Sequence, residues 1–375
     1  MTTITPPSRT IAVDPAALGI DPHRLDVLAR RIRLEVEQGP LPSVQWAVAK
    51  DNQLIVFETV GAATDDQRYI LQSVSRPILA GAIWKLIGEG LLTPATVIAD
   101  VIPEFAPNGK AAITLEQVMT HTAGFPVAPL GYPKMLDRSA RLEAFSRWRL
   151  TYEPGDHMDF HLTSAAWVLS ELVERLIGMA LPDYLRVVIA EPLGLTIELG
   201  VPVELQSATV AMPIAFDRTS DEQQVDPWGP WFTARPEVLA ACEPSHSIVA
   251  TAADVALYFQ ALHHSGLWSA DAIDTGTREW FTGKSHDTYS GDEVFHLGLF
   301  VCRAGDPGSP YIPATASPST YGMGGAPCQI SFMDPETGVS FCFVTNGYPV
   351  AGYDHSRAGA NRTRLIANLA GDLVA

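Results

Sequence analysis

The strongest candidates for catalytic residues in this sequence are a serine and an arginine that are three residues apart. Ser73 and Arg76 lie in the segment YILQSVSRP (69–77), where a short apolar stretch leads into a helical pattern. The N-terminus of a helix carries partial positive charge, which would stabilise an alkoxide or a nearby oxyanion. Residues three apart share a helix face, so the two side chains are expected to be neighbours. Taken alone, a serine that opens a helix is more often a cap than a nucleophile.

Other common catalytic and cofactor motifs are absent from the sequence. There is no G-x-S-x-G nucleophile elbow, and no glycine-rich phosphate loop follows a strand. His157 and His161 are four apart, but the proline and glycine just before them favour ordinary loop histidines over a metal site. The four cysteines show no C-x-x-C spacing, which favours free thiols over zinc ligands or disulfides. We therefore expect no metal and no organic cofactor.

The composition predicts a folded, acidic protein. The chain has 375 residues, of which 47% are hydrophobic and 18% charged, and its formal net charge is −17. Such a surface repels phosphate backbones and anionic lipids, so we expect a small-molecule substrate and neither nucleic acid nor a membrane as partner. The start of the chain does not resemble a signal peptide, and no uninterrupted apolar run reaches about 18 residues. We expect a cytoplasmic protein, and the oligomeric state stays open.

Hydrophobic periodicity predicts helices and strands that belong to an α+β fold. The predicted helices are 22–38, 77–90, 163–178, 251–266 and 357–373, and the predicted strands are 43–50, 54–60, 296–302, 326–333 and 338–346. Strands near both ends of the chain suggest one antiparallel sheet that is built from both termini. We predict a discontinuous sheet domain (12–95 and 285–375), a mainly helical domain (96–284), and an active-site cleft between them.

The string QSVSRPILAGAIWKLIGEGLL (72–92) resembles the S-x-x-K block of the serine β-lactamase-related family. This family includes class C β-lactamases, penicillin-binding proteins of the D-Ala-D-Ala carboxypeptidase type, and esterases of the same fold. Further blocks resemble the family in the same order, at 101–125, 152–178, 191–195, 248–266 and 321–347. The resemblance implies a β-lactamase/penicillin-binding-protein-like fold, with an antiparallel sheet flanked by N- and C-terminal helices and a helical insert. This agrees with the fold class that periodicity predicts.

The resemblance implies that Ser73 is the acylated nucleophile, but three partner positions depart from the family pattern. The family's lysine falls on Arg76, which cannot lose its proton in a protein and so can stabilise charge but not act as a base. The family's tyrosine falls on Phe160, which has no proton to exchange. The third block, K-T-G or H-x-G, reads Met323-Gly324-Gly325. The backbone N–H groups of Ser73 and Ala326 would still form an oxyanion hole.

Two histidines and an aromatic loop complete the candidate site. In several esterase-like relatives a histidine follows the family's tyrosine, and His161 matches that histidine. His161 is the best substitute base, since the ordinary pKa of histidine near 6.5 suits that role. His121 is a weaker candidate, in a block that more often supports structure. Phe160, Met323, Gly324 and Gly325 would line the cleft. Three further aromatic residues either line one wall of it or pack between the domains: Trp228, Trp231 and Phe232.

Two functions remain in competition at this stage. The first is a divergent serine hydrolase or acyl-transfer enzyme that acts through Ser73 on an ester or amide of a small, apolar substrate. It would not be a true β-lactamase, because that activity depends on the missing lysine and tyrosine. The alternative is a repurposed protein without acyl-serine chemistry, either an isomerase, cyclase or lyase or a ligand-binding protein.

Overall fold

A computed structural model gives the fold and describes residues 4–128, 130–216, 235–286, 292–326, 328–349 and 354–374. The strands are β1 (Ser43–Lys50), β2 (Gln53–Gly61), β3 (Tyr69–Ile70), β4 (Glu198–Leu199), β5 (Ile214–Phe216), β6 (Ile248–Ala250), β7 (Phe281–Lys284), β8 (Val294–Leu297), β9 (Cys302–Arg303), β10 (Tyr321–Gly325), β11 (Gln329–Asp334), β12 (Val339–Thr345) and β13 (Gly347–Pro349). The helices are α1 (Pro22–Glu37), α2 (Ser75–Gly88), α3 (Ile98–Val101), α4 (Leu115–Met119), α5 (Arg138–Arg147), α6 (Ser164–Ile177), α7 (Leu181–Tyr184), α8 (Glu191–Leu193), α9 (Val203–Thr209), α10 (Pro236–Leu239), α11 (Ala252–His264), α12 (Ala270–Thr277) and α13 (Asp354–Gly371).

An eight-stranded antiparallel sheet is the centre of the fold. Its strand order is β2-β1-β12-β11-β10-β9-β8-β7, so the first hairpin of the chain pairs directly with the last long strand. Val44 lies opposite Thr345 and Lys50 opposite Val339 in that pairing. This confirms the predicted α+β class and the sheet built from both ends of the chain.

Helices cover both faces of this sheet. On one face, α1 and α13 pack together over the strands through an apolar cluster that includes Leu28, Ile32, Phe341 and Ile366. On the other face, α11 packs against β1 and β12, and its Tyr258 hydroxyl donates to the Pro77 carbonyl of α2 at 3.3 Å. The α2 and α11 side chains belong to a second, larger cluster that extends into the helices of the middle of the chain. The core therefore holds α2, which begins just after Ser73, rigidly between the sheet and these helices.

Two small sheets join the middle of the chain to the large sheet. The three-stranded sheet has the order β3-β6-β4, and β13 pairs with β5 in parallel. The β3–β6 pair leads directly into the Ser73 segment, so the small sheet positions the candidate nucleophile. Among the described residues no helix combines the length and the apolar character that crossing a bilayer requires.

The sequence prediction fails for the strand at 296–302. The chain forms a tight hairpin there, with Leu297 of β8 opposite Cys302 of β9. Phe300 adopts a φ of +67°, in the left-handed region that a continuous strand excludes. The predicted strand 326–333 is also shorter, because β11 begins at Gln329 and a separate strand, β10, ends at Gly325. The division into two domains, with its boundaries at 95/96 and 284/285, stays a prediction.

Candidate active site

Ser73 lies where β3 ends and α2 begins. The Leu71 N–H donates to the Ile248 carbonyl at 2.9 Å, and a 3-10 turn over Gln72–Val74 then leads into α2. The residues on either side of Ser73 in this turn are buried, whereas Ser73 itself is half-buried. Within the described part of the chain no residue hydrogen-bonds to the Ser73 hydroxyl. The Ser73 side chain is therefore the part of this junction that a substrate can reach.

The residue before Ser73 has an unusual backbone conformation. Gln72 has a φ of +50°, which costs about 1–3 kcal/mol for a residue with a side chain. Its buried side-chain amide Nε2 donates to the Tyr348 hydroxyl at 2.8 Å, which holds the turn in this shape. Strained backbone of this kind concentrates at functional sites. Here it sets the direction in which Ser73 leaves the turn.

β10 lies against the turn that carries Ser73, and the contact requires glycine. A Cβ added at Gly325 would lie 2.9 Å from the Leu71 carbonyl oxygen and 3.3 Å from Val74 Cγ2. The Ser73 N–H and the N–H of Ala326, the residue after β10, donate no hydrogen bond to any described residue. Two unpaired N–H groups on adjoining segments are the donors that an oxyanion hole needs. The assignment of that hole to Ser73 and Ala326 stays a prediction.

Arg76 is buried one helical turn after Ser73. Its Nη2 donates to the Leu162 carbonyl at 3.1 Å, and its guanidinium carbon lies 5.6 and 5.7 Å from the ring centroids of Phe160 and Phe300. Guanidinium groups are stabilised over aromatic faces. Because this group keeps its charge at any ordinary pH, it supplies a fixed positive charge beneath the site.

Phe160 and Met323 belong to one apolar cluster. Met323 is 2% exposed, and its sulfur lies 3.8 Å from the thiol of Cys302. Phe160 packs on the same cluster and meets Phe295 edge to face at 5.1 Å. Gly324 is covered by Tyr311, whose ring carbon would lie 2.4 Å from an added Cβ. Phe160 and Met323, which are predicted to replace the family's tyrosine and its K/H side chain, are thus in apolar surroundings.

His161 is in no position to act as the substitute base. Its ring is fully buried, its Nδ1 lies 2.7 Å from the Asp159 carbonyl oxygen, and its Nε2 accepts from the Phe125 N–H at 3.0 Å. Burial lowers the pKa of His161 to about 3. Both ring nitrogens are therefore used in holding the loop, which leaves no lone pair for Ser73. Adjacent residues of an extended loop point in different directions, and here it is Phe160 that packs on Arg76.

His121 is buried beside His161 and Arg76. Its Nδ1 accepts from the His161 N–H at 3.2 Å, and its φ is +60°. Burial first, and then the charge of Arg76, lower the pKa of His121 well below its usual value. A neutral His121 therefore packs against the aromatic rings of Phe160 and Phe300.

Sequence reasoning missed a buried acid–serine–histidine group immediately before β6. Glu243 Oε1 accepts from the Ser245 hydroxyl at 2.5 Å, and Glu243 Oε2 lies 3.1 Å from His246 Nδ1. Burial raises the pKa of Glu243, but the charge of His246 and hydrogen bonds from His246 and Ser245 outweigh it and lower the pKa overall. The signal in the sequence is E-P-S-H, directly before an apolar strand.

The three aromatic residues that were predicted either to line the cleft or to pack between the domains, Trp228, Trp231 and Phe232, lie outside the described residues.

Comparison with known proteins gives a consistent family and fold. A family model described as Beta-lactamase matches residues 28–364. A protein of Escherichia coli (strain K12) named "Putative D-alanyl-D-alanine carboxypeptidase" is 28% identical, with 88% of this chain and 84% of that protein covered. A penicillin-binding protein homologue from Caulobacter crescentus has a similar structure, with a TM-score of 0.78, 23% identity, and 94% of this chain and 98% of that chain covered. A family VIII carboxylesterase has a TM-score of 0.77 at 19% identity, with 94% and 99% covered. The two structures support the fold.

Proposed function

The chain belongs to the Beta-lactamase family, and we propose that it is a serine hydrolase that forms an acyl-enzyme on Ser73 from a small ester or amide. The observation that carries this proposal is the half-buried Ser73 hydroxyl beside two unpaired backbone N–H groups, its own and that of Ala326. The curated relatives are named as carboxypeptidases and one structural neighbour is a carboxylesterase, which agrees with acyl transfer to a serine.

The proposed chemistry follows from the charges around Ser73. The Ser73 oxygen attacks the substrate carbonyl carbon, and the negative charge that develops on the carbonyl oxygen is bound by the Ser73 and Ala326 N–H groups. Each donor of an oxyanion hole is worth about 10²–10³-fold in rate. The buried Arg76 guanidinium adds positive charge in surroundings where charges are poorly screened. Arg76 therefore stabilises the anionic transition state, while the proton of Ser73 must go to another group.

The residues that replace the family's polar groups favour esters with good leaving groups. An amine leaves only after it is protonated, and Phe160 has no proton to give at the position of the family's tyrosine. A phenolate or a stabilised alkoxide leaves without that help. The apolar cluster around Phe160 and Met323 favours an apolar acyl or alcohol part, and the net charge of −17 disfavours a strongly anionic substrate. β-Lactams and D-Ala-D-Ala peptides are amides and are accordingly expected to be poor substrates.

The test is covalent labelling with a fluorophosphonate, read by intact-mass spectrometry and peptide mapping. We expect one adduct on Ser73, which the Ser73→Ala variant loses. Ser75→Ala is the matched control, because Ser75 is in the same segment but its hydroxyl is buried and without a described partner. That variant should label like the wild type. Absence of any adduct, together with equal behaviour of the Ser73→Ala variant, would exclude the acyl-serine function and favour a binding protein or a different reaction.

A further inference from the structure

The Glu243–Ser245–His246 group has no role in the chemistry proposed so far, although it is costly to build. Glu243 is 2% exposed, and a buried carboxylate is unfavourable unless it is ionised against a partner or fully hydrogen-bonded. Within the described residues its basic partner is His246, and its hydrogen bonds come from His246 and Ser245. The Glu243 carboxylate therefore orients the imidazole ring of His246.

The β3–β6 pair brings His246 to the same end of the small sheet as Ser73. Ile70 lies opposite Val249 in this antiparallel pair, and the Leu71 N–H donates to the Ile248 carbonyl. Ser73 follows Leu71 by two residues, and His246 precedes Ile248 by two. In an antiparallel pair the C-terminal end of one strand lies beside the N-terminal end of the other. Ser73, after β3, and His246, before β6, are therefore at the same end of the pair. No direct hydrogen bond joins them, and the positive φ of Gln72 shows that the Ser73 segment leaves the strand path there.

The hydrogen bonds of His246 determine which nitrogen of the neutral ring carries the hydrogen. Its Nδ1 lies 3.1 Å from Glu243 Oε2 and 2.8 Å from the Ser245 oxygen, so the neutral ring carries its hydrogen on Nδ1. The lone pair is then on Nε2, which forms no hydrogen bond with any described residue. The His246 side chain is 13% exposed, which gives solvent access to part of the ring. The arrangement of acid, imidazole and open Nε2 is the one that serine hydrolases of unrelated folds use.

We propose that His246 is the general base of the Ser73 reaction and that Glu243 is its positioning residue; this inference rests on the proposed function. One bridging water carries the proton, which fits the lack of a direct hydrogen bond. In acylation, Ser73 Oγ bonds to the carbonyl carbon, the bond to the leaving oxygen breaks, and the Ser73 proton passes to His246 Nε2 and on to the leaving group. In deacylation, a water oxygen bonds to the acyl carbon and a proton of that water goes to His246. The bond between the acyl carbon and Ser73 Oγ then breaks, and His246 returns the proton to Ser73 Oγ. The sum is ester plus water giving acid plus alcohol.

The proposal is tested with p-nitrophenyl acetate on the full chain and its variants. His246→Gln is expected to lower turnover by about 10²–10⁴-fold, the usual contribution of a general base. Glu243→Gln should lower kcat by less, since the ring stays but loses its charged partner. His296→Gln is the matched control. His296 Nδ1 also lies 2.9 Å from a glutamate oxygen, that of Glu279, but His296 is on β8 and not beside the Ser73 turn. Thermal unfolding of each variant shows whether it is folded.

Rescue separates a base from a structural residue. After subtraction of the hydrolysis that imidazole catalyses without protein, added imidazole should restore turnover to His246→Ala in proportion to its concentration, and should restore none to Ser73→Ala. Turnover of His246→Gln equal to that of His296→Gln, with Ser73 still acylated, would overturn the role of His246 while leaving the proposed function intact. Absence of turnover and of Ser73 labelling in the wild type would instead count against the proposed function itself.

Discussion

A single methyl group added at Gly325 tests the proposed oxyanion hole. The Cβ of alanine there would lie 2.9 Å from the Leu71 carbonyl oxygen and 3.3 Å from Val74 Cγ2. Non-bonded heavy atoms prefer a separation of about 3.5 Å or more, so β10 and the Ser73 turn must separate by roughly 0.6 Å. The Ala326 N–H is on one side of this contact and the Ser73 N–H on the other. The substitution therefore widens the gap between the two donors.

The expected effect of Gly325→Ala is on kcat rather than on KM. Loss of one donor costs about 10²–10³-fold in kcat, and a partial displacement should cost about tenfold or more. KM should change little, because the hole binds the charge that develops in the transition state. The strain of the added methyl should also lower the free energy of unfolding by about 1–3 kcal/mol.

The assay is steady-state hydrolysis of a p-nitrophenyl ester at a temperature well below the unfolding midpoint of every variant. Gly324→Ala is the control, since the same methyl group one residue earlier meets the Tyr311 side chain, at 2.4 Å, rather than the Ser73 turn. This contact does not involve the Ser73 turn, so Gly324→Ala should retain more of kcat. A folded Gly325→Ala protein with wild-type kcat would show that the two N–H groups do not form the oxyanion hole, and so would an equal loss of kcat in both variants.

Two further predictions concern stability. Burial holds the pKa of His161 at about 3 in the folded protein, below the value of about 6.5 expected in the unfolded chain. The unfolded state then binds the extra proton, so the unfolding free energy should fall by about 1.4 kcal/mol per pH unit as the pH drops from about 6.5 towards 3. Urea unfolding across that range should give His161→Gln a shallower slope than the wild type; equal slopes would contradict this. Separately, Glu35 is 2% exposed and pairs with Arg31 and Arg362. Arg362→Ala should cost on the order of 3 kcal/mol in urea unfolding, because it strips a buried charge of one partner. The same change at Arg364, whose ion pair is exposed, should cost about 0–1 kcal/mol, and equal losses would refute the distinction.

The long elements were predictable because hydrophobic periodicity records which face of an element is buried. α1, predicted over 22–38, spans Pro22–Glu37, and β1 matches its predicted bounds, 43–50. The strand at 296–302 was wrong for a physical reason. Leu299, Phe300 and Val301 lie in the turn between β8 and β9, and periodicity does not register that the chain reverses there. A left-handed residue such as Phe300 leaves no mark in a hydrophobic pattern.

The candidate site was predictable to the extent that backbone geometry defines it. The Ser73 turn and the Gly324–Gly325 strand lie together as the block order implies, since glycine at position 325 lets the two segments approach closely. The direction of a loop side chain is not encoded in spacing, and the hypothesis of a His161 base depended on that direction. The Glu243–His246 pair was missed because its relation to Ser73 depends on the pairing of β3 with β6. Those strands are 2 and 3 residues long, too short for a periodic signal.

The most direct test of acyl-serine catalysis is to trap the intermediate during turnover. The wild-type protein is mixed with an excess of p-nitrophenyl butyrate, quenched with acid in the steady state, and digested for peptide mass spectrometry. We expect a butyryl group on the peptide that contains Ser73, and neither an adduct nor turnover in the Ser73→Ala variant. Hydrolysis that persists in Ser73→Ala at the wild-type rate would contradict this expectation.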